Sequence, residues 1–189
     1  MDRSPIIARM RANNTATIII DLQDKLLGSI ENRSEIIWNV QRIIKASDLL
    51  GLQAFFTEQN PEKLGETIDG IKVLTSKAFN AKLDFSCATC NEIIEGIEDL
   101  RIENLLICGI ESHVCVQQTV LDLLIRKFKV FVPIDAIGSR KRLDHEVSIE
   151  RMRDAGATIT TTESTLFEWC ETSNRKEFKS ISRLIKDCP

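Results

Sequence analysis

The chain has 189 residues, of which 43% are hydrophobic and 28% are charged, and its formal net charge is −3. This balance is typical of a soluble globular protein rather than of a disordered or fibrous chain. The 28 acidic residues outnumber the 25 basic ones, so the chain lacks the broad positive field that attracts nucleic acid, and we expect no nucleic-acid partner.

Short apolar runs alternate with longer segments of helical periodicity, which is typical of parallel strands joined by crossover helices. An unbroken apolar run at residues 16–20 predicts a first strand that is covered on both faces. A helix with an apolar stripe follows from Ser34 and ends before Gly51, and a polar loop at residues 58–70 comes later. The six strands are predicted at residues 16–20, 52–57, 71–74, 104–109, 129–132 and 157–161.

Capping residues and apolar stripes predict the remaining helices. These helices begin near Thr89, Cys115, Asp144, Thr165 and Lys176. Together the elements predict a three-layer α/β/α sandwich with a doubly wound, mostly parallel six-stranded sheet in the order 3-2-1-4-5-6. No Pro-, Ser- or Gly-rich linker divides residues 1–189, so we expect a single domain.

No apolar run approaches the roughly 18 residues that are needed to cross a bilayer. The first such run ends at Asp21, and nothing before it is typical of a signal peptide. We therefore expect a cytoplasmic protein without a membrane-spanning helix. The six cysteines lie mostly within apolar segments rather than in a short disulfide framework, and we expect them to be reduced thiols.

Two neighbouring strands of the predicted sheet carry the candidate chemistry, because ligands bind where the winding of such a sheet reverses. Asp21 ends the first strand, and Cys115 follows the fourth strand at the start of a helix. The helix dipole favours a thiolate there, so we expect a lowered pKa for the Cys115 thiol. Asp21 can then carry a proton. Lys82, in the loop after the third strand, is the candidate counter-ion.

Each of these three residues alone has an ordinary structural explanation. An aspartate at a strand end is commonly a turn residue, and a free cysteine often fills space in a core. A single lysine is usually a solvated surface charge. It is the combination at one crevice that favours a functional site.

Three segments resemble signature blocks of the isochorismatase-like cysteine hydrolases, and they occur in the order of that family. Residues 18–23 read IIIDLQ, residues 82–87 read KLDFSC, and residues 108–119 read CGIESHVCVQQT. Residues 57–61 and 135–140 also resemble the isochorismatase-domain-containing subgroup. The resemblance extends over nearly the whole chain.

This resemblance implies an enzyme. It implies that Asp21, Lys82 and Cys115 form a triad that hydrolyses an amide-like bond of a small molecule through a covalent thioester. It also implies a cis peptide between Ile110 and Glu111, which makes an oxyanion hole from the backbone N–H groups of Glu111 and Cys115. The substrate pocket is expected to include Gln59, Phe85, Cys87, Ile110 and His113.

Differences between this sequence and some members of the family narrow the reaction and the cofactors that we expect. Metal-binding nicotinamidases carry an Asp-x-His motif where residues 59–63 here read QNPEK, so we expect no metal and no cofactor. True isochorismatases lack the cysteine, so Cys115 argues against cleavage of an enol ether. Cys87 and Cys90 form a single CxxC, which is weak evidence for a zinc or redox site. His113 is expected to bond to backbone in a tight turn.

Members of this family commonly form dimers or larger rings, so the resemblance also implies a homo-oligomer. The alternative is a non-catalytic scaffold or interaction protein that keeps the hydrolase fold, since a fold does not imply a function. A nucleotide-binding Rossmann protein has no support, because no G-x-G-x-x-G follows the first strand.

Overall fold

The computed structural model describes residues 9–186, which form a mostly parallel sheet with helices packed against it. The strands are β1 (Thr15–Ile20), β2 (Gln53–Gln59), β3 (Phe79–Lys82), β4 (Asn104–Ile110), β5 (Lys129–Pro133), β6 (Ile137–Gly138) and β7 (Thr158–Thr160). They run in the order β3-β2-β1-β4-β5-β7, and the two-residue β6 pairs with β4. This confirms the predicted order, since β7 is the predicted sixth strand.

The helices α1 to α7 lie between strands in the chain, and α8 and α9 follow the last strand. They are α1 (Asp24–Leu27), α2 (Arg33–Leu50), α3 (Pro61–Leu64), α4 (Asp69–Lys72), α5 (Asn91–Asp99), α6 (Gln117–Ile125), α7 (Arg142–Ala155), α8 (Thr162–Cys170) and α9 (Phe178–Lys186). Gly51 ends α2 in the left-handed conformation, as its position in the sequence predicts. Among the described helices, none has both the length and the apolar character to cross a membrane.

The centre of the sheet lies in the core of the molecule. Every residue of β1 and of β4 is buried, which agrees with the apolar run that predicted β1. The side chains of Ile18 and Ile20 are 0% exposed, and burial of each contributes about 2 kcal/mol of hydrophobic stabilisation. The carboxyl ends of these two strands are therefore held firmly side by side.

The predicted third strand at residues 71–74 is wrong. That segment lies at the end of α4 and just after it, where Ile71 is fully buried while Val73 is 78% exposed. The true β3 is an edge strand, and its register with β2 ends at the pair Gln59 and Lys82. Lys82 therefore lies at the end of a strand and not, as predicted, in the loop after one.

Candidate active site

Four parallel strands bring the three candidate residues together at one edge of the sheet. Asp21 follows β1, Lys82 ends β3, and Cys115 lies in a π-helical turn, here called the cysteine turn (Ser112–Val116), between β4 and α6. All three are buried, with at most 6% of each residue exposed. Lys82 Nζ lies 2.7 Å from Asp21 Oδ2. The structure thus groups these side chains as the sequence predicted, around a fully enclosed ion pair.

The carboxylate of Asp21 is held at both oxygens. Its backbone adopts a left-handed conformation with φ of 53°, and its N–H donates to the carbonyl of Thr57 at 3.2 Å. The hydroxyl of Thr57 donates to Oδ1 at 2.7 Å, while Lys82 donates to Oδ2. Sequence reasoning did not single out Thr57. The one feature that pointed to Thr57 was its place as the first residue of the family-like segment 57–61, at the end of the second predicted strand.

The ammonium of Lys82 is surrounded by acceptors. They are Gln59 Oε1 at 2.6 Å, Asp21 Oδ2 at 2.7 Å, Phe85 O at 3.1 Å and Asp84 O at 3.3 Å. Burial by itself lowers the pKa of Lys82, but the charge of Asp21 and the neighbouring thiols outweigh it, so the pKa is raised. Lys82 therefore stays charged. Because desolvating such a pair costs several kcal/mol, its presence points to function rather than to stability.

The pKa of the Cys115 thiol is raised, whereas the sequence predicted that it would be lowered. Burial raises this pKa to about 12, the carboxylate of Asp21 adds to the rise, and the ammonium of Lys82 opposes it. Loss of water and a nearby negative charge thus outweigh the helix start on which the prediction rested. The resting form of Cys115 is the neutral thiol, so a base must take its proton before the sulfur can attack.

The backbone before the cysteine turn has the conformation that the resemblance implied, since the Ile110–Glu111 peptide is cis. The side chain of Glu111 accepts a hydrogen bond from the backbone N–H of Arg140 at 3.1 Å.

The next two side chains make similar bonds to the segment that leads into α7. Ser112 Oγ lies 2.9 Å from His145 Nδ1, and His113 Nδ1 lies 2.9 Å from Ser139 Oγ. His113 therefore bonds to a side chain and not, as expected, to backbone. Together with the bond to Glu111, these contacts tie three consecutive residues to the segment 139–145.

Among the other predicted pocket residues, Phe85 and Cys87 contact residues of the ion pair or its neighbours, since the carbonyl of Phe85 accepts from Lys82. Cys87 is buried, and its Sγ lies 3.7 Å from Thr57 Oγ1. Ile110 is fully buried at the end of β4, whereas Phe85 is 48% exposed. A cavity of about 260 Å³ shares only Lys82 with the candidate site residues, and its lining is Asn60, Pro61, Glu62, Ala81, Lys82 and Leu83.

Metal-binding side chains do not cluster in the part of the chain that the structure covers. Between residues 9 and 186, no group of three or more His, Cys, Asp or Glu residues is placed to hold a metal ion. The five cysteines in this range are free thiols. Cys188 lies outside the described residues.

The mostly parallel sheet with flanking helices, in the order β3-β2-β1-β4-β5-β7, is the fold of the isochorismatase-like α/β hydrolases. Residues 15–164 match the isochorismatase domain, so the chain belongs to the isochorismatase family of hydrolases. This finding confirms the resemblance on which the sequence-based expectations rested.

Three relatives match this chain over most of their own lengths. Isochorismatase domain-containing protein 2A of Mus musculus is 31% identical over 186 residues, which is 96% of this chain and 87% of the mouse protein. The secreted isochorismatase effector Isc1 of Phytophthora sojae is 31% identical over 187 residues, covering 96% and 89%. The MAR1 ribonuclease of Caenorhabditis elegans is 34% identical, and its structure superposes with a TM-score of 0.88 over 95% and 93% of the two chains.

Proposed function

We propose that this chain hydrolyses a small amide-like substrate through a covalent thioester on Cys115. The observation that carries the proposal is the buried pair of Asp21 and Lys82, 2.7 Å apart, beside a thiol that is 5% exposed. A carboxylate that can move a proton, a fixed cation and a nucleophile are the three groups that such a reaction needs.

In the first step, Cys115 Sγ attacks the carbonyl carbon of the substrate and the thiol proton passes to Asp21. Because the pKa of this thiol is about 12, the proton leaves as the carbon–sulfur bond forms. The backbone N–H groups of Glu111 and Cys115 stabilise the negative carbonyl oxygen. Lys82 balances the charge of Asp21 until Asp21 takes the proton. The carbon–nitrogen bond then breaks, and the departing amine takes the proton from Asp21.

In the second step, water attacks the carbonyl carbon of the thioester. Asp21 takes one proton from that water, and the carbon–sulfur bond breaks. The sulfur of Cys115 regains a proton from Asp21, and the carboxylic acid leaves. Asp21 thus carries a proton in both steps, while Lys82 keeps its proton throughout because its pKa is raised.

RNA fits this site poorly, although the worm relative is named a ribonuclease. A polyanion is held by positive charge distributed over a surface, and this chain has a net charge of −3. Lys82, at the centre of the site, is buried against Asp21. These features favour a small substrate. The homo-oligomer, the cytoplasmic location and the lack of a cofactor stay predictions; the relative from Phytophthora sojae is named as secreted.

The proposal is tested with a panel of small amides and imides. Released amine or ammonia and the intact mass of the protein are measured together. We expect turnover of at least one member and a transient acyl adduct on the peptide that contains Cys115. Cys115→Ala should show neither. Cys170→Ala, which removes another buried thiol on α8, should keep both.

Turnover by Cys115→Ala at the rate of the unmodified chain contradicts the covalent mechanism. If no member of the panel yields product or adduct, the result favours the non-catalytic scaffold. Cleavage of an RNA oligonucleotide that depends on Cys115 contradicts the choice of substrate class.

A further inference from the structure

One oxygen atom contacts both the cation and the nucleophile of the candidate site. Gln59 is the last residue of β2, directly beside Lys82 of β3. Its side-chain Oε1 accepts a hydrogen bond from Lys82 Nζ at 2.6 Å. The same oxygen lies 3.9 Å from Cys115 Sγ, within the range of a weak hydrogen bond from a thiol. Gln59 therefore links the ammonium of Lys82 on β3 to the thiol in the cysteine turn.

The orientation of this amide is determined by its neighbours. Gln59 Nε2 donates to the carbonyl of Leu83 at 2.8 Å. Rotating the amide by 180° would set its NH₂ group against the ammonium of Lys82 and its oxygen against a carbonyl oxygen, and both contacts would be repulsive. The oxygen therefore always faces the lysine and the thiol.

A second glutamine fixes the backbone of the first. Gln23 is 0% exposed, and its Oε1 accepts from the backbone N–H of Gln59 at 2.8 Å. Its Nε2 donates to the carbonyl of Gln59 at 3.0 Å and to that of Gly65 at 2.5 Å. Each polar atom of Gln59 thus has a partner within the protein, which leaves this residue poorly suited to bind a substrate.

We propose that Gln59 is a positioning residue whose side-chain oxygen sets the place of the Lys82 ammonium relative to the Cys115 sulfur. This inference rests on the proposed function, and it replaces the expectation that Gln59 belongs to the substrate pocket. Gln23, two residues after Asp21, holds the backbone of Gln59 in place. The two buried glutamines thus fix the relative positions of the reacting groups.

The test uses the pH dependence of Cys115 alkylation by iodoacetamide, which needs no substrate. The charged or titratable groups that act on this thiol are Asp21, Lys82 and Cys87. Gln59→Glu keeps an oxygen against the lysine but adds a negative charge beside the thiol. Between about pH 7.5 and 8.5, where the buried thiols still contribute their full stabilisation, we expect a roughly tenfold lower alkylation rate at each pH.

The matched control is Gln118→Glu, which adds the same charge at an exposed position of α6 and should leave the profile unchanged. Circular dichroism and thermal melting establish that each variant is folded. Mass spectrometry of the peptide that contains Cys115 separates its alkylation from that of other thiols. A Gln59→Glu profile that superposes on that of the unmodified chain overturns the proposal.

A second variant distinguishes positioning from substrate binding, and it also serves if Gln59→Glu does not fold. Gln59→Met keeps the length of the side chain but has no oxygen to accept from Lys82. With an amide from the panel, we expect kcat to fall about tenfold or more while KM stays within about twofold. A raised KM with unchanged kcat would show that Gln59 binds substrate. Failure of the proposed function would look different, because the unmodified chain would then form no acyl adduct.

Discussion

At the scale of single residues, the least expected part of the site is the hydroxyl that holds Asp21. A carboxylate that carries a proton must present one defined oxygen to the sulfur and to the substrate. Thr57, on β2, fixes the orientation of the carboxylate by donating a hydrogen bond of 2.7 Å to Oδ1. The motif around Asp21 cannot reveal this partner, because the two residues are 36 positions apart in the sequence.

Thr57→Val should separate this positioning from packing. Valine keeps the shape of threonine but leaves Asp21 Oδ1 without its donor, so we expect a loss of about 1–3 kcal/mol in the free energy of unfolding. We expect kcat to fall about tenfold or more, because the carboxylate gains rotational freedom. Urea denaturation and turnover of an amide from the panel measure the two effects. Thr57→Ser keeps the hydroxyl and should retain most of the activity; equal losses in both variants would contradict this role.

At the scale of secondary structure, the central strands could be predicted from the sequence and the edge strand could not. The run at residues 16–20 is apolar without interruption because both faces of β1 are buried. In contrast, β3 reads FNAK, so its alternation covers only four residues, and it is the polar Lys82 rather than Ala81 that is buried. The consequence for the site is that Asp21 and Cys115 were placed correctly from strand ends, whereas the position of Lys82 was not.

The contacts made by Gln59 were hidden for a related reason. The second strand was predicted to stop at Thr57, but β2 continues to Gln59. Its last residues are polar and buried, because their partners come from the segment after β1, from the end of β3 and from the loops beside it. A pattern of hydrophobicity cannot show a strand whose end is stabilised by hydrogen bonds to loops.

Gly109 controls how closely β1 and β4 approach at the site. Its φ is +115°, and a Cβ at this position would overlap the backbone of Ile20, the residue before Asp21. Gly109→Ala should therefore push the two strands apart between the aspartate and the cysteine turn. We expect a loss of about 2–5 kcal/mol in the free energy of unfolding, measured by urea denaturation, and a loss of turnover.

Gly156→Ala is the matched control for that variant. Gly156 has nearly the same backbone conformation, with φ of +112°, but no atom lies within 4 Å of where its Cβ would be. This control should cost only the conformational strain, about 1–2 kcal/mol. Equal losses of unfolding free energy in the two variants would mean that the close approach of β1 and β4 adds nothing to the cost of Gly109→Ala.

At the scale of the whole molecule, the buried thiols make the free energy of unfolding depend on pH in the alkaline range. Burial raises the pKa of Cys87, Cys90, Cys108, Cys115 and Cys170. In the unfolded chain these thiols ionise near pH 8.5, while in the folded chain they remain protonated to higher pH. The stabilisation is complete below about pH 8.5 and is lost as the pH rises toward the folded pKa values.

Cys108→Ala isolates the contribution of one such thiol, which is 0% exposed and lies in β4. Between about pH 9.5 and 11, we expect the free energy of unfolding to fall less steeply in the variant, by about 1.4 kcal/mol per pH unit. Denaturant titrations at several pH values measure this slope. The chain contains no tyrosine, so no phenol titrates in the same range. Identical slopes would show that Cys108 ionises equally in both states.

The raised pKa of Cys115 also affects how readily this thiol reacts with oxidants and covalent inhibitors. Peroxides and simple alkylating drugs react with thiolates, so a nucleophile that rests as a thiol is protected from them at neutral pH. A general electrophile used at neutral pH to find reactive cysteines would label Cys115 only slowly. A covalent ligand for this site should therefore carry a carbonyl electrophile on a group that fits the pocket, so that Asp21 removes the proton only when the ligand is bound.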